Sequence, residues 1–412
     1  MVYDIMLTIF GSMVLDTIHT PDHTSPKVLG GSSTYAALAA SHFTKTNLVA
    51  VAGSDLPESY VDLLSNMVDT AGLQIREGQT FRYEARYENN FQDRVDVLVE
   101  PNVSLDYQPP VPEQYRKSEF VYLANADPQQ QITILRQFDA PKFVMCDTIQ
   151  HWIEAVPNKI IELLQMVDAV IINEGEARLL ADEYDLARCA DMIHGWGAKY
   201  VIIKKAEHGS LLFHNNHTYS LPGFPIKRLK DPTGAGDSFA GAVMGYLDSI
   251  DTINIESLRR ACIYGNVVGS FTVEQYHIEG LLNLGHADIE RRIKEYHSIT
   301  GMNADRLVEI FTLQKRLASM MDSARYPSNH TERVAVLCTA IIHEAVELQR
   351  LTNWKWWKKP TEFDLKAAHE ELADIWHFVV QASIELGMSP QDILDEYIQK
   401  NQINIQRQKS GY

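Results

Sequence analysis

The sequence predicts a mostly parallel α/β fold with helices on both faces of its sheet, followed by a separate all-helical domain. Three observations carry this reading. Short β-branched apolar runs alternate with amphipathic stretches from residue 1 to about residue 298. One segment within that region alternates polar and aromatic residues without any helix. From Asp305 onward only helical periodicity remains.

The runs IMLTIFGS (5–12), NLVAVAG (47–53), FVYLAN (120–125), KFVMCD (142–147), AVIIN (169–173) and YVIIKK (200–205) have the length and composition of buried strands. The first of them belongs to an opening, MVYDIMLTIFGSMVLD, that reads as a first buried strand rather than a leader. It has no basic start and carries Asp4 and Asp16. Between the runs lie amphipathic segments such as TYAALAASHF, NKIIELLQM and ARCADMIHGW. Strand–helix alternation of this kind implies a parallel sheet covered on both sides. TFRYEARYENNFQDRVDVLVE (80–100) is expected to form a small antiparallel sheet that projects over the site as a lid. PPVPEQY (109–115) reads as a loop. The domain limits expected are 1–298 and 304–412, with the linker around Gly301.

Composition bounds the function. The 412 residues are 45% hydrophobic and 22% charged, the balance of a soluble globular protein, and no run reaches the ~18 apolar residues a membrane helix needs. Cys146, Cys189, Cys262 and Cys338 show no metal spacing and fit reduced thiols in a cytoplasm. The net charge is −17; residues 301–412 hold 13 basic and 15 acidic side chains, so the first 300 carry nearly all of the excess. An acidic body excludes general nucleic-acid binding, which needs a basic footprint. Small phosphorylated ligands held by amides, metal ions and a few cations remain open.

The most informative string is DPTGAGDSFAGA, Asp231–Ala242, which opens a helix of small residues. Gly234, Ala235 and Gly236 let backbone amides converge at a helix N-terminus, an anion site. Asp237 stands where a carboxylate can take a proton from an attacking hydroxyl; a helix-capping aspartate is the structural alternative. The full string resembles the signature of the ribokinase-like (PfkB) family of sugar and nucleoside kinases. Further residues match that family in order across 5–295. Gly11 and Asp16 resemble the first-strand segment whose aspartate binds substrate hydroxyls, and Gly30 and Gly31 the glycine pair that lets substrate approach the backbone. Asn173 and Glu176 match its Asn-x-x-Glu motif, associated with magnesium and phosphate. VIIKKAEHGSLLF resembles the strand and turn beside the nucleotide, with Ala206 where the family often has glycine.

The resemblance implies in-line phosphoryl transfer from ATP. Asp237 would be the base, and Asp231, Thr233 and the 234–236 amides would lie against the phosphates. Asn173 and Glu176 would act on magnesium through water, and a monovalent cation is admitted at the same site.

In the helical part, Leu337, Ile341, Glu344 and Leu348 fall on one helical face, which puts Glu344 on the stripe expected to be buried, with Glu347 one turn on. Glu371, Asp374, Ile375 and Phe378 share another face. Buried carboxylates need a compensating cation, and oxygen-only ligands suit magnesium. The alternative is a pair of solvated helix faces. His343, His369 and His377 have no convincing ligand spacing and read as structural or supporting residues. The two carboxylate pairs and the ending KNxxNxxRQxxGY resemble the all-α NTP pyrophosphohydrolases, the dimeric dUTPases and MazG-like enzymes in particular, over 305 to the C-terminus.

That resemblance implies metal ligation by Glu344, Glu347, Glu371 and Asp374, with Glu344 and Glu347 helping to activate water. Lys355, Lys400 and Arg407 would bind phosphates and Asn404 would position the nucleotide. Gln314 and Leu317 match the Gln-x-x-Leu-Asn string of uracil-specific relatives, but Ala318 replaces its asparagine, so base preference is open. Trp354, Trp356 and Trp357 read as packing residues. The expectation is a cytoplasmic bifunctional enzyme of nucleotide metabolism. It would phosphorylate a sugar or nucleoside and cleave a (deoxy)nucleoside triphosphate, dUTP or another pyrimidine, to monophosphate and pyrophosphate. Its partners would be small molecules and a second copy of itself, with no nucleic acid or membrane. The alternative is an active sugar kinase with a non-catalytic helical dimerisation or nucleotide-sensing module.

Overall fold

The computed structural model describes residues 7–89, 91, 93–105, 107–301, 306–321 and 326–409. It falls into two compact units, Met1–Met302 and Asn303–Tyr412.

In the first unit, nine strands form one sheet: β1 (Leu7–Phe10), β4 (Thr46–Gly53), β5 (Asp69–Arg76), β8 (Phe120–Leu123), β9 (Phe143–Asp147), β10 (Ala169–Asn173), β11 (Tyr200–Lys204), β12 (Ser210–His214) and β13 (His217–Leu221). Their order is β13-β12-β11-β10-β9-β8-β1-β4-β5. All pairs are parallel except β11–β12 and β12–β13 at one edge. The central strands bury side chains on both faces, which is why they read as continuous apolar runs. Alternation is strict: Phe120 and Tyr122 enter one core and Val121 and Leu123 the other, as do Ala169 and Ile171 against Val170 and Ile172. The helices are α1 (Ser32–Ala40), α2 (Glu58–Ser65), α3 (Pro128–Leu135), α4 (Gln150–Ala155), α5 (Pro157–Leu164), α6 (Glu174–Ala181), α7 (Leu186–Trp196), α8 (Ala235–Ile250), α9 (Ile255–Val273), α10 (Glu279–Leu282) and α11 (His286–Thr300). The six predicted strands are all present.

Two expectations need correction. The opening segment is not one strand: β1 ends at Phe10, and the chain then leaves the main sheet as β2 (Val14–Thr20) and β3 (His23–Gly30). These join β6 (Phe81–Glu88) and β7 (Asp93–Glu100) in a second sheet of order β3-β2-β6-β7. Residues 80–100 do form an antiparallel pair, β6–β7, but the small sheet has four strands because β2 and β3 join it, and β2 pairs β6 in parallel. Residues 1–6 of the opening lie outside the described residues. PPVPEQY is irregular until a short 3₁₀ turn at Glu113–Tyr115 that buries Tyr115 completely.

The second unit holds α12 (Arg306–Met320), α13 (His330–Arg350), α14 (Leu365–Glu385) and α15 (Pro390–Lys409). Asn329 and Asp364 cap α13 and α14 by accepting from Thr331 and Ala367 N–H. Gly301 closes α11 in the left-handed region, φ 66°. Residues 302–305 of the expected linker lie outside the described residues. No described helix is long and apolar enough to cross a membrane, and Cys146, Cys189, Cys262 and Cys338 are free thiols, the first three buried.

The contact that places the site is α1 against α8. Both are built from small residues, so their backbones come close. A Cβ at Gly241 would lie 2.1 Å from the Ala36 carbonyl oxygen, and one at Gly245 would lie 2.8 Å from that of Ala40. Gly241→Ala is expected to destabilise the fold by about 2–3 kcal/mol, because backbone cannot yield to overpacking. Gly245→Ala also meets backbone, at 2.8 Å from Ala40 O, and is expected to cost less than Gly241→Ala, about 1–2 kcal/mol, because its overlap is smaller and alanine has the better helix propensity. Chemical denaturation of the two variants checks the ranking.

Candidate active site

The site of the first unit lies where parallel strands end, the usual ligand position in open α/β sheets. The turn Asp231–Gly234 leads into α8. Gly234 is its N-cap at φ 75°, and a Cβ there would strike the ring of buried Tyr35 at 2.3 Å. Both the conformation and the contact demand glycine. The first-turn amides of α8 have no i−4 partner within the helix, although Ala235 N–H bonds to Pro232 O at 3.3 Å. Asp231 is buried and holds the turn from both oxygens: Oδ1 accepts from Thr233 N–H at 2.9 Å and Oδ2 from His277 N–H at 3.1 Å. Its carboxylate is thus committed to backbone. Thr233 Oγ1 meets the Tyr87 hydroxyl of lid strand β6 at 3.1 Å.

Asp237 sits in the first turn of α8. Burial and the negative charge of Asp147 push it up to about 7, opposed by the Lys204 ammonium. Asp16, on β2, is 4% exposed and is pushed up to about 8 by burial, Asp231 and Asp237, with a hydrogen bond from the Gly31 backbone opposing. A Cβ at Gly30 would lie 1.9 Å from Asp16 Oδ2, so the glycine makes room for that carboxyl. Gly31, at φ 93°, starts α1.

Asn173 and Glu176 form a reciprocal capping box on α6. Glu176 N–H donates to Asn173 Oδ1 at 2.8 Å, and Asn173 N–H donates to Glu176 Oε2 at 2.7 Å. The motif therefore has a structural task, which leaves Glu176 Oε1 for other partners. Burial raises Glu176 to about 7, with Lys204 opposing and Asp147 and Asp237 adding.

Two residues not singled out in the sequence complete this group. Asp147 ends β9 and Lys204 ends β11; Lys204 Nζ donates to Asp147 Oδ2 at 2.9 Å, and the side chains are 16% and 4% exposed. A Cβ at Gly236 would lie 3.2 Å from that same ammonium, which places it against the anion turn. Burial lowers Lys204, but Asp147, Glu176 and Asp237 raise it more, so it stays charged. A charged residue ending a wholly apolar strand was the signal available for both. Ala206, in place of glycine, takes φ 49°, a left-handed conformation that costs an alanine about 1 kcal/mol. The turn expected beside the nucleotide is thus kept with strain.

In the second unit, carboxylate oxygens of Glu344, Glu347 and Glu371 lie within 4.8 Å of one another. Such an oxygen-only set fits a hard divalent cation. Glu371 is raised by partial burial and by Glu347, Glu344, Asp374 and Glu370. Glu344 and Glu371 are half-buried, whereas Glu347 and Asp374 are exposed, so the buried stripe expected for these carboxylates is not buried within one chain. Asp374 is outside the close set. The tryptophans are a second correction. Trp354, Trp356 and Trp357 are 44%, 85% and 59% exposed and pack edge-on against one another rather than in a core. Lys355 lies over the Trp354 ring, 4.9 Å from its centroid. Lys400, Asn404 and Arg407 are exposed on α15, which packs on α12. Gly411 and Tyr412 of the C-terminal string lie outside the described residues. Gln314 is buried and bonded to His377 and Gln381.

Comparison with known proteins follows the same division. The model of the pfkB family of carbohydrate kinases matches residues 1–279, and a dUTPase family model matches residues 306–390. Cytidine kinase of Thermococcus kodakarensis is 30% identical over 250 residues, 58% of this chain and 88% of that protein. Nucleoside kinase of Methanocaldococcus jannaschii is 25% identical over 162 residues, 38% of this chain and 49% of that protein. The crystal structure of a nucleoside kinase from M. jannaschii superposes with a TM-score of 0.58 at 17% identity, covering 71% of this chain and 98% of its own. A double mutant of Vibrio cholerae fructokinase, bound to fructose, ADP and potassium ion, gives 0.60 at 18%, covering 70% and 98%.

The charge arrangement predicts a titration. Lys204→Met removes the ammonium that opposes the rise at Asp237, so its carboxyl should titrate above about 7. Carboxyl-carbon NMR of the folded variant against wild type checks the direction.

Proposed function

The chain belongs to the pfkB family of carbohydrate kinases and carries a dUTPase-type second domain, and from that premise we propose a bifunctional enzyme of pyrimidine nucleotide metabolism. Its first unit transfers the γ-phosphoryl group of ATP to a nucleoside hydroxyl. Its second unit cleaves a pyrimidine deoxynucleoside triphosphate, dUTP or dCTP, to monophosphate and pyrophosphate.

The observation that carries the kinase reading is the convergence of Asp237, the α8 anion turn and the Lys204 ammonium at one strand end. Asp237 takes the proton of the attacking hydroxyl as the oxygen bonds to phosphorus, and a base titrating near 7 suits that task. The α8 amides and Lys204 face the charge that develops on the transferring group. Asp16 receives an acceptor hydroxyl over Gly30, and Tyr87 brings the lid down onto Thr233. A divalent cation, with Glu176 Oε1 beside it, would neutralise phosphate charge in this acidic site. A nucleoside acceptor is favoured by the similarity to a cytidine kinase over 88% of that protein's length and by the nucleotide-cleaving partner domain.

For the second unit the Glu344–Glu347–Glu371 set carries the reading. A divalent cation held there would supply an activated water and a counter-charge to the triphosphate. Lys355, Lys400 and Arg407 supply cations for the phosphates, and Asn404 positions the nucleotide. Among the described residues of this unit, the fully buried apolar side chains are Phe311, Leu337, Ala368 and Val380. So small a core leaves Leu313, Trp376, Val379 and Ile398 exposed, and a second copy is the partner that covers them.

Glu344→Gln should abolish magnesium-dependent pyrophosphate release from dUTP and dCTP while sparing nucleoside phosphorylation. Asp237→Asn should do the reverse, with a loss of about 10²–10⁴-fold in kcat. Assaying both activities on both variants checks this, and loss of both activities in either one contradicts it. Light scattering at micromolar concentration should give a dimer or larger; a monomer would sink the assembly.

A further inference from the structure

One buried side chain beside the kinase site holds three backbone carbonyls. The pairing of β8 with β9 ends at Leu123 and Cys146. On its other side β9 runs one residue further, with Asp147 still opposite Ile171 of β10. Strands β8 and β9 thus part just where Asp147 begins. Gln131 fills the opening: its Nε2 donates to Asp147 O at 2.9 Å and to Leu123 O and Ala124 O at 3.0 Å. The residue stands on α3, which turns back over the strand end from its Asp127 cap. Of the three consecutive glutamines 129–131, only this last one is completely buried. An uncharged amide suits the place, because both N–H bonds leave one atom and no further charge is set beside Lys204. The three oxygens also fix its orientation, since a flipped amide would set its own oxygen against them.

What Gln131 holds is the backbone of the residue that anchors Lys204. Asp147 Oδ1 accepts from Thr148 N–H at 2.8 Å. Its Oδ2 accepts from Lys204 Nζ at 2.9 Å and from the Tyr122 hydroxyl at 3.4 Å. Lys204 in turn lies against the anion turn, 3.2 Å from where a Cβ at Gly236 would be. A lysine on its flexible four-carbon stem has no fixed direction of its own. Aspartate has a single methylene between backbone and carboxyl, so the place of the β9 end is passed on to the ammonium with little slack. A clamp that served the fold alone would change stability and leave turnover of the folded enzyme as it is.

We infer that Gln131 is a positioning residue for phosphoryl transfer, fixing the end of β9 so that the Asp147 carboxylate holds the Lys204 ammonium at the anion turn. This rests on the reading of Asp237, the α8 turn and Lys204 as the transfer site. Gln131 acts through Asp147 rather than on the reactants.

The test is a double-mutant cycle on the full chain, with magnesium, ATP and a panel of cytidine, uridine and their 2′-deoxy forms. Gln131→Met keeps the length of the side chain and removes its donors. It should lower kcat about 10- to 100-fold, the loss that follows a small misplacement of a reacting group, while KM for ATP and nucleoside stays within about threefold. In Asp147→Asn, where kcat is already reduced, adding Gln131→Met should cost no more than about twofold further, because the carboxylate it acts through is gone. Gln131→His, which keeps one donor, carries the same cycle if Gln131→Met loses its native thermal transition. A folded Gln131→Met with wild-type kcat, or losses that multiply in the double variant, overturns the inference and leaves the kinase reading standing. A wild type that phosphorylates none of the panel overturns the nucleoside reading, and the positioning role with it.

Discussion

One ammonium among three carboxylates is the interaction on which the kinase site depends. Lys204 bonds to Asp147 and lies in the field of Glu176 and Asp237, with little water to screen them. Burying such charges is costly, and breaking the set leaves an uncompensated carboxylate in the protein. The residual negative charge is expressed as raised affinities for protons at Asp16, Glu176 and Asp237. Against that acidic surround, the backbone amides of a helix end and a single ammonium are the groups that suit an anion.

The rest of the first unit holds those groups at their distances. Parallel strands deliver Asp147 and Lys204 at their C-terminal ends, and the capping box that starts α6 also orients Glu176. Helix α8 must bring Asp237 to the same place, and it does so by lying on α1 through glycine and alanine. The ring of Tyr35, from α1, closes the space under Gly234. The small residues of the signature string are thus a packing requirement as much as a chemical one.

The second unit is organised differently. Its carboxylates converge across two helices with little burial, and its apolar side chains remain largely exposed in one chain. Beside that small core, a polar chain runs from Glu385 through Gln381 and Gln314 to His377 and ties α14 to α12. Ion-paired ends give such chains a direction that apolar packing does not supply.

Much was legible in the residues themselves. Strands buried on both faces read as apolar runs, helices as 3.6-residue stripes, and Asp231–Ala242 as a glycine turn opening a helix, because each is local in sequence and set by periodicity or backbone chemistry. What only the tertiary structure decided was non-local. The start of β2 was hidden in an opening that looked like one strand, since its partner on β6 lies 67 residues on, Phe81 opposite Val14. Asp147 and Lys204 meet from strands 57 residues apart. The exposure of Glu347, Asp374 and the tryptophans depends on how far one chain can cover its own helices. Gln314 carries the right residue type for reading a base, yet its carboxamide is already taken by α14. Sequence determines which groups are present and which way a local segment turns; whether a group is free to act depends on partners that only folding brings within reach.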